Sequence, residues 1–125
     1  MTITLTHEES EQHFNNALCN GLSYIRGYGL SLEYEKKEYE SARKKFASPC
    51  FEDVLMQILR DGGKLTLVDE ECEGEYTKSV TIKEVHERVS KTPVNHLMDA
   101  VNENDDATTA DVIIQTVFYE EIIFG

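Results

Sequence analysis

The chain contains no tryptophan, only two prolines and three cysteines in 125 residues, and no lysine or arginine after Lys91. Each shortage excludes something. Cys19, Cys50 and Cys72 are odd in number, far apart and form no C-x-x-C pair, so a disulfide framework or a zinc site has little support. A reducing cytoplasm is the expected setting. Met1 to Thr6 offers neither a basic n-region nor an apolar h-region, and no window approaches the ~18 apolar residues of a membrane span. A soluble, unexported protein without membrane contact is expected.

Twenty-four Asp and Glu against twelve Lys and Arg give a net charge of −12. The imbalance is uneven. Beyond Lys91 stand Asp99, Glu103, Asp105, Asp106, Asp111, Glu120 and Glu121 with no cation between them. Such a field repels bare nucleic acid and anionic membranes and attracts basic partners. With 40% apolar residues the chain can still bury a core, so its acidity belongs to the surface. Its length suits one domain.

Periodicity suggests the elements. Ile3 and Leu5 alternate with threonines over residues 2–6, which suits a short strand. Thr6 and Glu9 form a capping-box pattern that opens a helix over 7–20, with Gly21 as its stop. Residues 22–34, punctuated by Gly27 and Gly29, read as one or two strands. An amphipathic helix is expected over 35–46. A stronger one follows, with Ser48-Pro49 as cap and first turn, Phe51, Val54, Leu55, Ile58 and Leu59 on one face, and Gly62 as terminator.

Residues 64–70 and 76–82 alternate around Gly74 and predict an antiparallel hairpin. Thr81 with Glu84 opens a short helix that Pro93 ends. Another runs from Thr92-Pro93 to Asn104-Asp105-Asp106. The last segment predicts a helix from 108 to about 117 and a strand over 119–124. The expected architecture is α+β, a small and mostly antiparallel sheet packed against helices in a single domain.

Motifs for chemistry are weak. Asp69-Glu70-Glu71-Cys72-Glu73-Gly74 places oxygen ligands like a calcium loop, but Val80 stands where the bidentate Glu belongs. Asn102, Asn104 and Asp106 fail in the same way. Arg26-Gly27-Tyr28-Gly29 lacks the third glycine of a dinucleotide fingerprint, since Leu32 holds that position. Asp61-Gly62-Gly63-Lys64 reads as a helix stop, where the dipole disfavours phosphate. No cofactor or metal is implied.

Two catalytic alternatives can be framed. Cys50, following Pro49 in a first turn, could be activated by a helix dipole with His86 or His96 nearby, although Glu52 and Asp53 oppose a thiolate. His96 with Asp99, and Asp105, Asp106 and Asp111 after them, could converge on a divalent metal or form an acid–base pair, although a helix junction capped by Asp105 or Asp106 is the better explanation. The basic islands (Lys36, Lys37, Arg43, Lys44, Lys45, and Lys78, Lys83, Arg88, Lys91) are interleaved with glutamates and argue against direct nucleic-acid binding.

Binding is the favoured function. Asp69, Glu70, Glu71, Glu73, Glu75, Asp105, Asp106 and Asp111 are the expected carboxylates, with Tyr28 and Tyr76 as amphipathic contacts. The expected partner is a protein with a basic, nucleic-acid-binding surface, by analogy with small acidic inhibitors of defence or restriction machinery that mimic nucleic acid. A homo-oligomer paired through an edge strand at 119–124 is the structural alternative.

Overall fold

The computed structural model describes residues 3–71, 73–104 and 106–124. Thr6 caps the first helix reciprocally with Glu9, and α1 spans His7–Gly27. It is followed by β1 (Leu30–Glu33), α2 (Lys36–Arg43), α3 (Phe51–Arg60), β2 (Leu65–Asp69), β3 (Lys78–Val80) and α4 (Ile82–Arg88). A 3₁₀ turn over Val89–Lys91 then leads into α5 (Val94–Val101) and α6 (Ala107–Tyr119). The fold is α+β, with the three strands antiparallel in the order β1-β2-β3. Leu30 pairs with Asp69, and Leu65 with Val80.

The centre of the molecule is α6. Every residue from Thr109 to Phe118 is buried, so this helix is covered on all sides. α1 runs antiparallel along it, with Phe14 against Phe118 at one end and Tyr28 bonded to Asp111 at the other. Gly21 lies where they cross: a Cβ added there would stand 2.9 Å from Ile114 Cδ1 and 3.1 Å from the Ala110 carbonyl carbon. The core continues through Leu55, Ile58 and Leu59 of α3 and Leu65 and Leu67 of β2.

Several sequence expectations need correction. Residues 3–6 form no strand; Thr6 serves as the N-cap of α1, and Ile3 and Leu5 pack against the core. Gly21 does not stop α1, because its missing side chain admits α6; the helix continues to Gly27, leaving only Leu30–Glu33 extended. Cys50, not Ser48, is the N-cap of α3. Asn102 is the C-cap of α5, while Asp106 opens α6. Thr81 reaches the Glu84 carboxylate at 2.6 Å instead of capping a backbone N–H.

Residues 120–124 are irregular, not a strand. Glu120, in a left-handed conformation (φ 60°), turns the chain back along α6. There Gln115, fully buried, accepts the N–H groups of Ile123 and Phe124, each at 2.9 Å. Its amide donates to the Phe124 carbonyl and to Asp111 Oδ1, each at 3.0 Å. One side chain thus occupies the backbone groups that a strand would have offered to a neighbour. The edge-strand route to an oligomer loses its basis.

Candidate binding surface

The loop joining β2 to β3 is built on Asp69. Although acidic, this residue is buried, and its two oxygens accept the N–H groups of Glu71 (3.0 Å) and Tyr76 (3.1 Å). Its own N–H donates to Thr77 Oγ1 at 3.0 Å. One carboxylate therefore gathers both arms of the loop, with Glu70, Glu71, Glu73 and Glu75 exposed around it. Glu73 (φ 56°) and Gly74 (φ 82°) are both left-handed, a pairing that tight hairpin turns use.

The loop leans on the end of α1. Glu70 N–H donates to the Gly29 carbonyl, and Ser31 Oγ donates to Glu70 Oε1 at 2.9 Å. The Glu71 side chain lies across Gly29, where a Cβ would come within 2.5 Å of its Cδ; the glycine's φ of +83° adds a second reason for its identity. Beneath the loop sits an aromatic floor. Tyr76 meets Tyr119 and Phe124 edge-on, and Phe124 stacks on Tyr28 at 5.1 Å.

Polar contacts lock this floor. Tyr119 donates its hydroxyl to the Tyr76 carbonyl at 2.8 Å, and Tyr28 donates to Asp111 Oδ2 at 2.7 Å. Burial, then the hydrogen bond and charge of Asp111, push the Tyr28 phenol up to about 12. Burial and the nearby Asp69 charge likewise raise Tyr119 to about 12. Both phenols hold their protons as donors.

The residues expected to bind thus divide. Glu70, Glu71, Glu73 and Glu75 converge on one loop with Tyr76 at its base. Asp69 and Asp111 are turned inward and serve the fold rather than a visitor. Tyr28 is half-buried beneath them. Asp106 lies elsewhere, at the α5–α6 junction, where it accepts the Thr109 N–H at 3.0 Å; that backbone bond holds its carboxyl below the ordinary range. Asp105 lies outside the described residues.

Ion pairs among the described residues reach few of the carboxylates. Glu11 pairs with Arg60 and His86, Asp61 with Lys45, Glu87 with Lys83, and Glu120 with Arg88 and Lys91. The cation-free sequence beyond Lys91 is therefore not cation-free in space. Among the described residues, however, no ion pair reaches Glu70, Glu71, Glu73 or Glu75, nor Asp99, Glu103 or Asp106.

Neither catalytic arrangement is assembled. Cys50 is exposed; a backbone bond at Asp53 lowers its thiol pKa, but the Asp53 and Glu52 side chains and burial outweigh it and leave the thiol raised. That is the wrong direction for a nucleophile. His96 Nδ1 contacts Thr109 Oγ1 at 3.3 Å, and no hydrogen bond joins it to Asp99 among the described residues. His86 stacks on His7 at 3.9 Å and bonds Glu11 at 2.7 Å, a grouping that sequence separation hides.

Among the described residues no three or more His, Cys, Asp or Glu side chains gather as metal ligands do. Clefts among the described residues include one of about 250 Å³ beside Glu38 and Asp61 and one of about 180 Å³ beside Arg26 and Phe51. Neither takes in a residue expected to bind. No helix among the described residues is long and apolar enough to cross a membrane. Comparison with known proteins returns no match, whether to a protein family, a curated protein or a solved structure.

Proposed function

We propose that the protein is a non-enzymatic binding protein that presents Glu70, Glu71, Glu73 and Glu75, with Tyr76 at their base, to the basic surface of a partner protein. One contrast carries this reading. Many carboxylates of the chain lack an ion pair among the described residues, but here Glu70, Glu71, Glu73 and Glu75 stand together on one loop, all exposed and none with a cation, in contrast to Glu11, Asp61, Glu87 and Glu120. Four anions within six residues raise each other's energy, and an approaching lysine or arginine cluster relieves that cost. A groove shaped for nucleic-acid phosphates offers such a cluster, so the protein would act as a nucleic-acid mimic that inhibits a nucleic-acid-handling or defence protein.

The test uses charge reversal with a charge-matched control. The partner is captured on the immobilised protein at low salt, and association and dissociation are then measured against Glu70→Lys/Glu71→Lys and against Glu35→Lys/Glu40→Lys on and before α2. The loop variant should slow association about tenfold or more while the control changes it little, and the wild-type rate should fall steeply toward ~0.15 M salt. Equal effects from both variants would reduce the loop to a share of the net charge. Binding indifferent to salt would remove the reading altogether.

A further inference from the structure

Five large apolar side chains stand exposed among the described residues, and three of them, Val94 (41%), Met98 (36%) and Val101 (43%), belong to α5. At positions i, i+4 and i+7 they make one continuous stripe. Leu97 and Ala100 bury the other side of the same short helix. A helix apolar on two sides has a second face still to be covered.

What covers it follows from charge and area. α5 contains no lysine or arginine and none comes after it, while Asp99 within it and Glu103 just beyond it are exposed and carry no ion pair among the described residues. The nearest preceding cations, Arg88 and Lys91, are engaged by Glu120. A second copy would set these acids against their own equivalents on a chain of net charge −12, and like charges across an interface oppose association. Three side chains also fall far short of the ~800 Å² per partner that a stable dimer buries. They have the size of an anchor within a polar rim.

We infer that α5 docks a cationic amphipathic segment of a partner protein. One or two large apolar side chains of that segment seat on Val94, Met98 and Val101, and flanking lysines or arginines meet Asp99 and Glu103. The unbranched thioether of Met98 lets the stripe adapt to differing knobs. This rests on the acidic-binding reading above and adds the contact that slows dissociation, since apolar anchors act mainly there while rim charges act on encounter.

Two helical probe peptides of equal length and charge test it, one with a lysine face and a leucine face, the other with serine replacing every leucine. Each is titrated into the full chain, with fluorescence anisotropy for affinity and methyl NMR for location. The lysine–leucine peptide should bind about tenfold tighter and shift the Met98, Val94 and Val101 methyl signals. Met98→Gln/Val101→Thr, both at exposed positions, should remove that advantage and leave lysine–serine binding unchanged. Equal affinity for the two peptides, or shifts confined to other residues, overturns the inference while the acidic reading stands. Failure of both peptides to bind at low salt ends both. Self-association in sedimentation that Met98→Gln abolishes would assign the stripe to a second copy and overturn the proposal.

Discussion

Replacing Gly21 by alanine sets two opposed effects against each other at the crossing of α1 and α6. In a solvated helix interior the change would stabilise by up to about 1 kcal/mol, because glycine is the poorer helix former. At this site the new methyl would sit 2.9 Å from Ile114 Cδ1, 3.0 Å from Ala110 Cβ and 3.1 Å from the Ala110 carbonyl carbon. The isoleucine terminus can turn away, but the backbone carbon moves only if α6 moves. Overpacking of this kind costs roughly 1–3 kcal/mol, so a net loss of about 1–2 kcal/mol is expected. For a chain of this size that lowers Tm by about 3–8 °C. Gly27→Ala is the control, since a Cβ there meets nothing within 4 Å; it should be neutral or mildly stabilising. Urea and thermal unfolding followed by circular dichroism measure both. A Gly21→Ala protein as stable as wild type would refute the close approach of the two helices.

Gln115→Leu should cost about 2–4 kcal/mol, since Gln115 is buried and makes four hydrogen bonds to Asp111 and the tail, each worth roughly 1 kcal/mol net; hydrogen exchange should show the Ile123 and Phe124 amides opening first, and an unchanged denaturation midpoint would contradict that role. In alkali, Tyr28 and Tyr119, both raised to about 12, keep their protons in the fold where unfolded tyrosine ionises near ~10. Their contribution is thus intact below pH ~10 and is lost as pH rises from there through 12. Ultraviolet titration should reveal a late-ionising class that Tyr28→Phe diminishes, and simultaneous ionisation of all tyrosines in the folded protein would count against the Tyr28–Asp111 bond.

Elements with one apolar face were legible in the sequence. Phe51 to Leu59 recur at helical spacing against a polar face, Gly62 follows, and α3 closes there. The β2–β3 hairpin and the Thr6–Glu9 cap were likewise visible, because alternation and capping are local. Gly21 was misleading because a glycine needed for close packing has the same letter as one that ends a helix. α6 was ambiguous for a related reason: a helix buried on every side has no polar face to set its period, and its β-branched residues favour a strand on propensity alone. The tail could not be read, since its course depends on Gln115 accepting bonds from residues eight and nine positions away. In the candidate site the acidic loop was evident, but not that Asp69 faces inward or that Arg88 and Lys91 neutralise Glu120. α5 was found by its spacing, which does not say that two of its sides are apolar or which one stays uncovered.

The loop's construction bears on why its charges are kept. Glu73 holds a left-handed conformation at φ 56°, where a side chain costs roughly 1–2 kcal/mol and glycine little. Glu71 spreads over Gly29, a position no other residue could take without displacing it. Asp69, buried, spends both oxygens on the loop's backbone, and the floor beneath is fastened by Gln115 and two phenols that stay protonated. A loop selected for stability alone would place glycine or asparagine at position 73 and relieve the repulsion among its neighbours. Glu103 (φ 59°) and Glu120 (φ 60°) share that conformation, so the strain does not single out this loop; what does is the close grouping of four anions on a firm support, and the proposed binding of a basic partner draws on that grouping.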